Sequence, residues 1–175
     1  MFLSSNALSE LLLKYPGTVT VALFAHTHMD EFRILSESGS RTSVSAVAVK
    51  MVPSISPVAG NTPSFLIAKV DTRTGDLLDY TQYLAPANGS AAPWEKQYSF
   101  DEQYNVESFS ASNLQTLQNV FLSDPNGSSP QAIAYKERYT SGGTQYKIDP
   151  VWRSYRCLIG NQDAGGFLEC ACPIR

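Results

Sequence analysis

Val19-Thr20-Val21-Ala22-Leu23-Phe24-Ala25-His26-Thr27-His28-Met29-Asp30-Glu31-Phe32 is the stretch on which the reading of this chain turns. Its first half is a run of strong β-formers, which predicts a strand from Thr18 to Phe24. Apolar residues on both faces mark such a strand as central, with neighbours on each side. The run then gives way to a polar turn holding the only two histidines of the chain, His26 and His28. Histidine is the commonest metal ligand and the usual proton carrier near neutral pH. On an extended backbone, side chains one residue apart project to the same side, because strand side chains alternate. The expectation is therefore a pair of imidazoles presented together at a strand end, the best candidate for chemistry in the sequence.

Working outward, Leu8, Leu11 and Leu12 recur at helical spacing between Ser5 and Tyr15, and Pro16-Gly17 stops that helix. The start, Met1-Phe2-Leu3, has no basic segment or clean cleavage site, and Glu10 and Lys14 interrupt the apolar run, so it is not read as a signal peptide. Further strands are predicted over Glu31 to Leu35 and Ser43 to Val52. Ser64 to Asp71 and Asp76 to Leu84 read as a hairpin, with Gly75 in the connection where positive φ is needed. Pro86 to Pro93 is a low-complexity loop, after which the pattern turns helical. Ser112 with Gln115 has the spacing of a capping box, followed by Leu114, Leu117, Val120 and Phe121 on one stripe. Ser129-Pro130 reads as a second helix start, and Val151 to Leu158 as a short third helix. The order predicts an α+β fold: one layer of sheet with helices against it. The chain reads like the second half of a domain.

The 175 residues suffice for one domain with its own core, and 43% hydrophobic and 11% aromatic content are those of a globular protein. A net charge of -3 and a pI near 5.3 give no footprint for nucleic acid, which needs a clustered basic face. No stretch reaches the roughly 20 apolar residues of a membrane helix. Cys157, Cys170 and Cys172 cluster near the end, which favours an oxidising compartment. Cys170 and Cys172 are too close to pair comfortably, so one of them bridging to Cys157 leaves an odd thiol; three reduced thiols is the alternative. A zinc site at these cysteines is a weak reading, because no fourth ligand stands near.

Phe24-Ala25-His26-Thr27-His28-Met29-Asp30-Glu31-Phe32 resembles the last metal-binding motif of the calcineurin-like metallophosphoesterases, Gly-His-x-His at a strand end. The longer string His-Thr-His-x-Asp-Glu-Phe is similar to the acid sphingomyelinase-like branch. So are Pro53-Ser54-Ile55-Ser56-Pro57, Gly60-Asn61-x-Pro63-Ser64-Phe65, and Val70-Asp71 leading to Leu78-Asp79-Tyr80. The resemblance covers residues 8–84, and more loosely the helical tail. It implies the C-terminal half of a metallophosphoesterase-type sheet and helix sandwich over 1–85, then a linker arm and a small helical, cysteine-bearing subdomain over 86–175.

The implied chemistry is hydrolysis of a phosphodiester or phospholipid-type substrate such as sphingomyelin at a two-metal centre, commonly zinc, with a bridging water as nucleophile. By that resemblance His26 binds one metal and His28 the other, while Asp30 orients a ligand from behind. Two departures matter. Ala25 replaces a glycine, a mild change because alanine is the smallest substitute. The family's Asp-x-His, Gly-Asp-x-x-Asp, Gly-Asn-His-Asp/Glu and further histidine are all absent from this sequence. Two imidazoles cannot hold two divalent cations, each needing about four ligands. The chain is thus expected to be inactive alone and to have a complementary N-terminal half as its partner. A secreted or lysosome-like location follows from the resemblance and the cysteines.

The alternative is a non-catalytic binding or accessory module derived from such an enzyme. Three further features have competing readings. The loop from Pro53 to Pro63 either rims a substrate cleft or is a rigid connection. Trp94, Tyr98, Phe100, Tyr104 and Phe109 form a lipid-facing surface or an arm packed across the sheet, burial being the commoner fate of aromatics. Asn88-Gly-Ser90 and Asn126-Gly-Ser128 are sequons, meaningful in a secreted eukaryotic protein.

Overall fold

The leucines at helical spacing form α1 (Ala7–Lys14) in a computed structural model that describes residues 6–15, 17–36, 46–86, 93–143 and 146–172. Met1-Phe2-Leu3 and the Asn88 sequon lie outside the described residues. The β-forming runs give β1 (Val21–Phe24), β2 (Glu31–Ser36) and β3 (Ala46–Met51), then β4 (Ser64–Val70) and β5 (Leu77–Leu84) as the expected hairpin. Gly75 has φ +79° in that hairpin, a conformation without steric penalty for glycine. Glu95–Ser99 then forms β6, a strand that the sequence reading missed.

The sheet is not one layer. The strands form two three-stranded sheets, in the orders β1-β3-β2 and β4-β5-β6. In the first, β1 runs parallel to β3 and β2 antiparallel to it, so β3 is central and β1 lies at an edge. The expectation of a central first strand fails among the described residues: Leu23 is 63% exposed. Both-face hydrophobicity signals burial on both faces, but not which polypeptide does the burying.

The helical tail begins with α2 (Phe100–Tyr104) and α3 (Ala111–Ser123). The N-cap of α3 is Ser110, whose side chain accepts from Asn113 N–H, and not Ser112. An Ser-x-x-Asn start competes with the Ser112/Gln115 signature, and the side chain that meets the free N–H groups decides. In α4 (Pro130–Arg138) Ser129 caps as expected, with Pro130 in the first turn. A 3-10 turn (Asp149–Val151) leads into α5 (Trp152–Leu158), and α6 (Ala164–Ala171) closes the chain. Cys157 and Cys170 form a disulfide joining α5 to α6, while Cys172 is an exposed thiol.

One core holds most of this together. Phe32 of β2 lies at its centre, with ring centroids at 4.9 Å from Tyr135, 5.2 Å from Tyr104 and 5.7 Å from Phe100. Such edge-to-face pairs add to the area term, because ring edges and faces carry opposite partial charge. Tyr98, Phe100, Tyr104 and Phe109 are buried in this cluster, so these four rings are core and not a lipid-facing surface, whereas Trp94 is exposed and packs its ring against Phe65. The opposite face of the first sheet carries a smaller cluster, Leu35, Val47, Val49 and Met51, roofed by Leu12 and Leu13 of α1.

Candidate functional site

The histidine turn crosses one end of the first sheet. Phe24, its entry, and Glu31, its exit, both pair with Met51 at the end of β3, so residues 25–30 arch over that strand. Val52 N–H also donates to Phe24 O at 2.8 Å, so the loop that follows β3 leaves from the same place.

The turn is not extended. His26 has φ 100° and His28 φ 64°, the left-handed region that non-glycine residues visit rarely. Strand alternation therefore does not apply, and the expectation of an extended backbone at the two histidines is corrected. The β1 ladder stops at Phe24, two residues before the first histidine. His26 is exposed and lines a cavity of about 220 Å³ with Leu12, Phe24, Arg33 and Met51. His28 is half-buried and is not among the residues lining that cavity. Its Nδ1 is buried with no hydrogen-bond partner. A buried polar atom left unpaired costs about 1–3 kcal/mol, and such an atom is where an explanation is owed.

What holds the turn is a buried polar clamp immediately after it. Asp30 N–H donates to Tyr139 O at 2.9 Å. The Asp30 carboxylate accepts from Lys50 Nζ and from Tyr98 OH, the latter at 2.6 Å. Lys50, 1% exposed, also donates to Glu31 O at 3.1 Å and sits 4.6 Å from the Tyr80 ring centroid. Burial pushes the Lys50 ammonium below its usual range, against the opposing pull of Asp30. Burial, reinforced by Asp30, likewise raises the Tyr98 and Tyr80 phenols well above theirs. Next along, Glu31 accepts from Tyr155 OH at 2.6 Å and from Arg33 at 3.0 Å.

Asp30 thus serves Lys50 and Tyr98, and orients neither histidine. The reason is electrostatic: an ammonium in the interior requires a counter-charge, and Asp30 is the one in reach. The sequence carried this signal. Lys50 is the lone charge in the apolar run Ala46 to Val52, and a charge inside a central strand calls for a buried partner.

Among the described residues, no three His, Cys, Asp or Glu side chains come together in a way that would hold a metal ion. The donors among the described residues therefore do not make a complete metal site. Of the loop after β3, Asn61 Nδ2 donates to Ser54 O at 3.0 Å and Thr62 N–H to Thr140 O at 3.1 Å, which pins it to the segment after α4. It borders a different cavity, of about 830 Å³, with Gln97 and Gly142. It does not line the cavity at His26.

Comparison with known proteins points to one class, the phosphodiesterases. No protein-family model matches the chain. It is similar to Sphingomyelin phosphodiesterase B of Dictyostelium discoideum, with 26% identity across 95% of this chain and 28% of the relative. It is similar to the human Cyclic GMP-AMP phosphodiesterase SMPDL3A, at 27% identity over 95% of this chain and 38% of the relative. Sphingomyelin phosphodiesterase A of Dictyostelium discoideum is 28% identical over 92% of this chain and 28% of its own length. The chain thus spans about a third of the length of these curated relatives.

Proposed function

We propose that this chain forms part of a metal-dependent phosphodiesterase of the acid sphingomyelinase-like kind. In this reading it supplies His26 and His28 to a two-zinc centre whose other ligands lie outside the chain. The observation that carries it is the similarity to phosphodiesterases along 92–95% of the sequence, including the histidine turn. The unpartnered Nδ1 of His28 and the positive φ of both histidines support it, since strained backbone held by a rigid surround is characteristic of functional turns. A metal pair supplies an activated water and charge neutralisation at the phosphate. The part played by this chain is to hold two imidazoles on an arch that Asp30, Lys50 and Tyr98 fix from below. The ligand set within the chain is incomplete, so alone it does not turn over. The disulfide fits an oxidising, secreted or lysosome-like setting, and no helix among the described residues is long and apolar enough to cross a membrane.

The second reading is a non-catalytic accessory module of the same ancestry. It is favoured by the same shortage of metal-ligating side chains among the described residues. Zinc content and hydrolysis of bis(p-nitrophenyl) phosphate decide between them. Both are measured for the chain alone and for the chain co-expressed with human SMPDL3A lacking the segment that aligns with it. Zinc-dependent turnover only in the mixture, abolished by His26→Ala or His28→Ala, supports the enzyme. A stable mixture that neither binds zinc nor turns over leaves the module.

A further inference from the structure

The two sheets have four edges, and among the described residues three of them are protected. β2 is capped by the tail, with Ile34 N–H donating to Ile159 O at 2.8 Å. β4 carries Lys69 and a register shift at Lys69/Val70, and β6 carries Glu95 and Lys96. Charges, bulges and covering segments are the usual ways in which proteins stop an edge from pairing with a stranger. Among the described residues β1 has none of them. Val21-Ala22-Leu23-Phe24 is uncharged, free of proline, and regular in its register against β3. Among the described residues it pairs on one side only, and Leu23 stands 63% exposed in the middle of it.

Two neighbouring features point the same way. Helix α1 packs Leu12 and Leu13 toward the sheet, while its outer side, beside the exposed Glu10 and Lys14, leaves Leu8 and Leu11 40% and 55% exposed. Between α1 and β1 lies the cavity of about 220 Å³ lined mainly by apolar side chains, Leu12, Phe24, Leu35, Val49 and Met51 among them.

We infer that the open edge of β1, with the outer face of α1, is the docking surface for a strand and helix of the polypeptide that completes the metal centre. This rests on the function proposed above, and it specifies how that partner is held. The occupant follows from length and chemistry. The relatives that match 92–95% of this chain carry about two thirds more of their own length beyond the match. An apolar, unprotected β edge takes main-chain hydrogen bonds from an incoming strand, with alternate side chains filling pockets beside it. A strand added here also lies next to the histidine arch, where the missing ligands are needed, because β1 runs straight into His26.

The test uses this chain and the truncated human relative as its partner. Amide hydrogen exchange of the chain alone should show β1 exchanging faster than β3. Co-expression should yield a one-to-one complex in which the β1 amides slow by about tenfold or more. Leu23→Lys should weaken the complex by about tenfold or more, whereas Ile67→Lys, on the exposed part of β4, should leave it unchanged. A complex that leaves β1 unprotected, or that tolerates Leu23→Lys, overturns the inference even if it hydrolyses substrate. So does protection of β1 by a second copy of this chain, or no complex at all. A complex that protects β1 yet shows no zinc-dependent turnover upholds the surface and removes the enzymatic reading.

Discussion

The two faces of the first sheet differ in how they are closed. On one face Phe32 and Ile34 enter a core built from both sheets and four helices, with Phe100, Phe121, Tyr135 and Trp152 almost fully buried. On the other, four buried side chains are roofed by a single short helix, with a cavity beside them. The histidine turn lies where the two meet, anchored through Asp30 and Glu31 to the closed side and through Phe24 to the open side. Stability thus resides on the face away from the histidines, and the surface that invites a partner is the one beside them. Such segregation is common where function needs a less stable region.

The largest effects should come from the closed face. Phe32→Ala removes a ring in contact with five others and should lower stability by about 3–5 kcal/mol in urea denaturation. Phe24→Ala, on the open face, should lose markedly less. Equal losses would mean that the open face is as well packed as the closed one.

Lys50→Met leaves Asp30 buried without its counter-charge and should also cost about 3–5 kcal/mol. Adding Asp30→Leu to it should recover much of the loss, because the pair is then removed as a unit. A double variant as unstable as the single one would show that Asp30 is held mainly by Tyr98.

Reducing Cys157–Cys170, which are 13 residues apart, should lower stability by about 2–4 kcal/mol. Helix α6 has no buried residue of its own, so its amides should lose protection first in hydrogen exchange. Loss of protection in β2 before α6 would place the tail deeper in the core than its burial indicates.

A smaller, pH-dependent effect belongs to Asp124. Desolvation is the largest single influence on its carboxyl and raises it. The backbone N–H groups and hydroxyls of Ser129 and Ser128 outweigh that and hold it well below the usual carboxylate range. A depressed carboxyl contributes stability that is present above the unfolded value and lost as pH falls below about 4. Asp124→Asn should lower stability at neutral pH, where the carboxylate's contribution is present, and flatten the acid limb of a stability-versus-pH curve, the two proteins converging at low pH. Smallest of all, Leu23→Lys in the isolated chain should shift stability by no more than about 0.5 kcal/mol, as at other exposed sites. A larger loss would show that the β1 edge is already occupied in solution.

Much of the secondary structure was legible beforehand. Period and turn chemistry predict the α1 leucines, the β4–β5 hairpin with Gly75, and the Ser129-Pro130 helix start, because each is decided within a few residues. The misses share one cause. β6 reads Glu95-Lys96-Gln97-Tyr98-Ser99, with little apolar alternation, and becomes a strand because β5 offers it a partner. Ser110 prevailed over Ser112 as a cap because the chain before α3 approaches from the Phe109 side, where Phe109 N–H donates to Leu78 O. At the site, the two histidines were visible by type and spacing. Their backbone was not, since an arch with positive φ is imposed by anchors at Phe24 and Asp30 that come together only after the sheet has formed.

The sequence by itself determined which segments want to be helix or strand, that two histidines end the first β run, and that the cysteines favour an oxidising setting. Propensity, hydrophobic period and residue type act locally, so they can be read locally. Only the tertiary structure decided that the strands split into two sheets, that Asp30 answers Lys50 instead of a histidine, and that β1 is left with an open edge. Those outcomes depend on which buried charge and which backbone donor find a partner far away in the chain, and that pairing is fixed only when the chain is folded.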